Sequence, residues 1–149
     1  MLMFKSLWKE YPTVKEGDRT PCRNSSGKPN FNYQCAIRLG VALTRNGVNM
    51  NSYPPGGRCW FGHKGHTLRA EQLANWLKNQ IHDVGTVQVL KNVTYKDVTD
   101  SGIVFFKDFW GPRGNRDHID IWDGTRFPPN TGMLDYFGRS NEVWLWVIK

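Results

Sequence analysis

The hydrophobic period of this chain changes once, between His82 and residue 86, and that switch constrains the fold more than any other feature. Before it, apolar residues recur at helical spacing. Asn32 is a favourable cap, Ile37 and Val41 repeat four apart, and Asn46-Gly47 closes the run, which predicts a helix over 32–47. A second helix is predicted over 68–82, with Thr67 as its cap and Leu68, Leu73, Trp76, Leu77 and Ile81 on one stripe. After Gly85 the segments 86–90, 102–106, 118–122 and 143–148 read as strands. In His118-Ile-Asp-Ile-Trp122, Ile119 and Ile121 face one way while His118, Asp120 and Trp122 face the other. Asp123-Gly124 makes a tight turn, and a short helix over 133–138 precedes the last strand. Helices first and strands second, without strand–helix alternation, excludes a doubly wound parallel sheet and predicts an α+β fold.

Composition narrows the function classes. A chain of 149 residues, 39% hydrophobic and 13% aromatic, is expected to form one domain over 1–149 with a substantial core. No apolar run reaches the roughly 18 residues of a membrane span, so no membrane insertion is expected. The N-terminal MLMFKSLWKEYP lacks a basic n-region, a long apolar h-region and a small-residue cleavage site. It is therefore expected to be made in the cytoplasm without a Sec signal. Lys+Arg 20 against Asp+Glu 13, a net charge of +7, favours an anionic partner such as nucleic acid, a membrane surface or an acidic cell-wall polymer. The basic residues are scattered rather than blocked, which argues against nucleic acid.

Two residues stand out chemically. Cys35 falls in the first turn of the predicted helix, where unpaired amides and the positive helix end favour a thiolate. It could equally be a small buried hydrophobe. His118 lies on a strand whose other face is core, placed to act as a base for a distant thiol or simply to face solvent. Asp120, Asp123 and Asn130 are the groups that could orient its ring. Cys59, His63 and His66, with Cys22 as a fourth ligand, could hold zinc, but their spacing fits no ribbon or finger pattern, and no metal or cofactor is expected. In an oxidising compartment Cys22 and Cys59 could instead form a disulfide.

Four ordered blocks, Tyr33–Leu43, His66–Leu77, Gly102–Phe109 and Asp117–Arg126, together with the closing Val143-Trp-Leu-Trp146, resemble the fourth family of type VI secretion amidase effectors. The resemblance implies an NlpC/P60-type, papain-like fold in which a nucleophile helix packs on an antiparallel sheet. It also implies cleavage of peptidoglycan stem peptides between the γ-carboxyl of D-glutamate and meso-diaminopimelate. The family's nucleophile falls on Cys35 and its general base on His118. Its third residue is an acid shortly after the Gly-x-Arg turn, where this chain has Phe127-Pro-Pro-Asn-Thr131. Asn130 is the nearest polar substitute and is favoured over Asp120, giving a Cys-His-Asn set.

On this reading the Cys35 thiolate attacks the γ-glutamyl carbonyl, helix-start amides hold the oxyanion, and His118 shuttles the proton. Basic residues near the groove, Arg38 the nearest in sequence, would bind the free carboxylates of the stem peptide. The implied partners are the stem peptide, a secretion apparatus that delivers the chain to a rival's periplasm, and a cognate periplasmic immunity protein. The alternatives are a non-catalytic basic module binding cell wall or nucleic acid, and a cysteine protease of the same fold acting on another amide.

Overall fold

The computed structural model describes residues 1–59, 62–108 and 116–149. Phe109, at the end of one family-like block, and Trp60 and Phe61, between Cys59 and His63, lie outside the described residues. Two short helices, α1 (Phe4–Lys9) and α2 (Pro12–Lys15), open the chain, and Pro12 occupies the first turn of α2, where its missing N–H costs nothing. The long helix α3 (Cys35–Arg45) follows, then α4 (Ala70–Leu77) and α5 (Ile81–Val84). Strands β1 (Gln88–Leu90), β2 (Gly102–Lys107), β3 (His118–Trp122) and β4 (Glu142–Val147), with α6 (Tyr136–Arg139) before the last, complete the fold. No helix among the described residues is long and apolar enough to cross a membrane.

The sheet has the order β1-β4-β2-β3, and every pairing is antiparallel. Register alternates its residues between two covered faces. Ile103, Phe105, Ile119, Ile121, Trp144 and Trp146 pack against Leu39, Leu43, Leu73 and Leu77 of α3 and α4. Val104, Phe106, Trp122 and Leu145 pack on Phe127 and Phe137 across the sheet. Each such side chain contributes on the order of 1.5–3 kcal/mol by burial. Strand β3 is thus buried on both faces: Ile119 and Ile121 take the expected core side, but the side carrying His118 and Asp120 is also closed from solvent.

Both helix starts depart from the expected caps. The cap position of α3 is Gln34, not Asn32, so Cys35 is the first helical residue. Gln34 uses its side chain elsewhere: Oε1 accepts the Cys22 N–H at 2.7 Å, and Nε2 donates to the Cys22 carbonyl at 2.9 Å. The second helix starts after Arg69 rather than Thr67, because the Thr67 hydroxyl donates to the Ala36 carbonyl at 2.8 Å instead of capping its own helix, and it is divided into α4 and α5. That bond holds the 57–69 segment against α3. Gly40 permits the approach, since a Cβ there would fall on the Gly65 carbonyl oxygen and the Thr67 hydroxyl.

Candidate functional site

A groove of about 1160 Å³ lies at the start of α3. Helix α3 supplies Cys35 and Arg38, α4 supplies Ala70 and Glu71, β3 supplies His118, and Tyr136 and Thr131 close one side. The thiol of Cys35 is half-buried at its floor. Its position follows from the fold: the first residue of α3 meets the first residue of β3 because both isoleucines of that strand pack under the helical layer.

Cys35 and His118 share a hydrogen bond. The Nε2–H of His118 donates to Asp120 Oδ2 at 2.7 Å, which leaves the other ring nitrogen for the thiol. Asp120 is fully buried, and its second oxygen accepts the Ile121 N–H at 2.9 Å and the Tyr11 hydroxyl at 3.0 Å. The imidazole is further confined by Phe106, 6.1 Å between centroids and nearly parallel, and by Tyr136, 5.1 Å away and edge-on. A chain of four side chains therefore runs from buried phenol to groove: Tyr11, Asp120, His118, Cys35.

The electrostatics favour moving the thiol proton onto His118. Burial pushes the Cys35 thiol up, but the hydrogen bond and charge of His118, with the Ile119 backbone and Arg38, outweigh it and hold the thiol below its ordinary value. Burial pushes His118 down, but its hydrogen bonds to Asp120 and Cys35 and their charges raise it to about 9. Near neutral pH the imidazole is then protonated, and the thiol beside it ionises more readily than an ordinary one. Burial pushes the Tyr11 phenol far above its usual value, and the Asp120 charge adds to this, so Tyr11 remains a donor.

The other residues named from sequence fall elsewhere. Asn130 is exposed, sits at φ 60° and offers its backbone carbonyl to Arg19 Nε at 3.0 Å, while its neighbour Thr131 lines the groove. The chain reverses at this position, and Asn tolerates the left-handed conformation, which accounts for the residue without chemistry. Asp123 serves its own turn, accepting from Thr125 and Arg126. Arg38 is 3% exposed and donates to the Arg19 carbonyl at 2.8 Å, so it acts inside the wall rather than as a surface clamp. The exposed cations at the groove are Arg19 and Arg69, and Arg116 stacks on Tyr33 at 3.7 Å. Opposite them Asp117 is raised to about 6, by burial first and by the Glu71 carboxyl beside it.

Tyr11 was invisible to sequence reasoning. It lies 109 residues from Asp120, in a segment whose only signal is apolar spacing. Cys22 and Cys59 are free thiols 3.5 Å apart rather than a disulfide.

Helices layered on a four-stranded antiparallel sheet, with a thiol and an imidazole meeting at the helix start, define an α+β protein of NlpC/P60-like fold. Solved structures of similar form sharpen this. The type VI effector–immunity complex Tae4–Tai4 from Salmonella Typhimurium aligns with a TM-score of 0.73 at 18% identity, over 100% of this chain and 99% of that one. The type VI effector Tae4 from Enterobacter cloacae aligns with a TM-score of 0.72 at 15% identity, over 100% and 98%. No curated protein matches the sequence. Residues 31–146 match the type VI secretion system amidase effector protein 4 family, and the chain belongs to that family.

Proposed function

We propose that this chain is an antibacterial peptidoglycan amidase that cleaves the γ-D-glutamyl–meso-diaminopimelate bond by cysteine acyl transfer. The observation that carries the reading is the Cys35–His118 hydrogen bond at the floor of an open groove, with His118 held by a buried Asp120. A module that only bound cell wall would gain nothing from a buried imidazolium against a thiol. Cys35 is the nucleophile: its thiolate attacks the amide carbon, and the carbonyl electron pair moves onto the oxygen. The free N–H groups at the start of α3 then face that oxyanion. His118 gives its proton to the leaving amine of diaminopimelate as the C–N bond breaks, leaving a Cys35 thioester. It next takes a proton from water, and hydroxide attack on the thioester releases the glutamyl carboxylate and restores the thiolate.

Asp120 takes the orienting role in this scheme, displacing Asn130. Its carboxylate keeps the Nε2 proton in place and stabilises the imidazolium. Arg69, Arg19 and Arg116 supply positive charge for the free carboxylates of the stem peptide. As a member of a type VI amidase effector family, the chain acts in the periplasm of a target cell, and a cognate immunity protein protects the producer by covering the groove. The Tae4–Tai4 complexes from Salmonella Typhimurium and Enterobacter cloacae support that partner. The test is mass spectrometry of purified muropeptides after incubation with the protein. Products split between D-glutamate and diaminopimelate, and absent with Cys35→Ala, support the proposal. Intact muropeptides at high enzyme concentration reject it.

A further inference from the structure

On the flank of α3 away from the groove, four further sulfur and nitrogen ligands converge. Cys22, from the loop after α2, and Cys59, His63 and His66, from the turn before α4, place one ligand atom each within 4.8 Å of all the others. Cys22 Sγ lies 3.5 Å from Cys59 Sγ and 3.5 Å from His63 Nδ1, and Cys59 Sγ lies 3.7 Å from the same nitrogen. We propose that Cys22, Cys59, His63 and His66 form a structural zinc site, a Cys2His2 centre that pins the 17–34 loop and the 57–69 turn to helix α3.

Three observations carry this. First, the three separations among Cys22, Cys59 and His63 are close to the edges of a zinc tetrahedron. Zn–S bonds near 2.3 Å and Zn–N bonds near 2.0–2.1 Å set sulfur–sulfur edges of about 3.8 Å and sulfur–nitrogen edges of about 3.6 Å. Second, His66 Nδ1 is buried without a hydrogen-bond partner among the described residues, a condition that a metal bond relieves. Third, the surroundings suit a thiolate site. Asn30 Nδ2 donates to Cys22 Sγ at 3.3 Å, and Ile37, Val41, Phe31 and Leu68 enclose the sulfurs. The Cys59 N–H donates to the His66 carbonyl at 2.9 Å, and Gly62 and Gly65 take positive φ of 75° and 78°.

A Cys22–Cys59 disulfide would use the two sulfurs but give the two imidazoles no reason to meet there. Two thiolates and two imidazoles select zinc over hard cations, and four protein ligands leave no open position for a substrate. Binding one Zn²⁺ releases the two thiol protons, so the centre is neutral and fits its apolar pocket. Gln34, clamped on the Cys22 backbone, is the residue before Cys35, so the centre also steadies the start of the nucleophile helix.

The experiment is zinc titration of the full, reduced, metal-free chain against a chromophoric chelator, with native mass spectrometry of the product. One zinc per chain, less two protons, is expected, with a tetrahedral cobalt spectrum on substitution. Cys22→Ser, Cys59→Ser and His66→Ala should each weaken uptake at least tenfold, whereas Cys35→Ser should keep it whole. Because the wild-type stoichiometry is itself decisive, a variant that fails to fold does not rescue the idea. No zinc uptake by the reduced chain, or a mass two hydrogens light from a Cys22–Cys59 disulfide formed in preference to metal, would overturn it. So would uptake that survives the three cluster substitutions and disappears with Cys35→Ser.

Discussion

Helix α3 carries a cysteine–histidine cluster on each flank, and the two are used in opposite ways. Cys35 and Ile37 are two positions apart, about 200° around the helix, so one flank meets β3 and the other the Cys22–Cys59 pocket. At the first flank one thiol meets one imidazole, a carboxylate anchors the imidazole, and the thiol opens to a groove. At the second, two thiols meet two imidazoles, and apolar side chains enclose them. The same two residue types thus become a proton-transfer pair or a metal cage according to count and anchoring. A carboxylate behind the histidine holds a proton on it, whereas a second thiol and a second imidazole offer lone pairs to a shared cation.

The largest effects should separate the flanks completely. Cys35→Ala and His118→Ala should each lower muropeptide cleavage by at least about 10⁴-fold, and the double variant should fall no further, because the pair acts as a unit. Both should keep the zinc content of the wild type. Steady-state cleavage rates and metal analysis on the same preparations test this, and a Cys35→Ala enzyme within tenfold of wild type would remove the nucleophile assignment.

Next comes the anchor. Asp120→Asn keeps the shape but removes the charge behind His118, and should cost about 10³-fold in kcat. Asn130→Gly, which preserves the left-handed backbone at φ 60°, should stay within about threefold. Equal losses in the two variants would return Asn130 to the site.

That contrast shows which parts of the molecule were legible. The change of period placed helices before strands correctly, and the alternation in 118–122 put Ile119 and Ile121 in the core. Local patterns put Cys35 at a helix start and His118 on a strand face but left the chemistry of each open, and the family resemblance was what paired them. The anchor could be read two ways. Its place in the family's order favoured Asn130, while strand alternation put Asp120 beside His118, and the second is the one the fold brings to the ring. Asn32 and Thr67 looked like caps because capping is local chemistry, but Gln34 and Thr67 spend their side chains on tertiary bonds to Cys22 and Ala36. Cys22 stands 37 residues from Cys59, and no local pattern could bring them to 3.5 Å.

The pH dependence is the next effect in size. His118 is raised to about 9, so kcat/KM should fall on the alkaline side as the imidazolium loses its proton near that pH. On the acid side it should fall as the thiolate of Cys35 takes up a proton, below the ordinary thiol range. The stabilising contribution of the raised His118 is complete below about 6.5, its unfolded value, and is lost as the pH rises through about 9. Asp120→Asn should move the alkaline limb downward. A limb that stays in place would separate Asp120 from the proton on His118.

The smallest expected effect concerns the residue furthest from the groove. Tyr11→Phe removes one hydrogen bond to Asp120 while the Ile121 N–H still holds the same oxygen at 2.9 Å. A hydrogen bond to a charged group contributes about 1.5–3 kcal/mol, and only part of that reaches the reacting pair through His118. The expected loss is therefore about three- to tenfold in kcat, with KM unchanged. The sign of the pH effect distinguishes positioning from packing. Without the phenol the carboxylate is less well stabilised and becomes the stronger base, so it holds the imidazolium proton more tightly. The alkaline limb should then move upward, opposite to Asp120→Asn. A variant that lost rate without moving the limb would make Tyr11 a packing residue, and the proton-holding chain would end at Asp120.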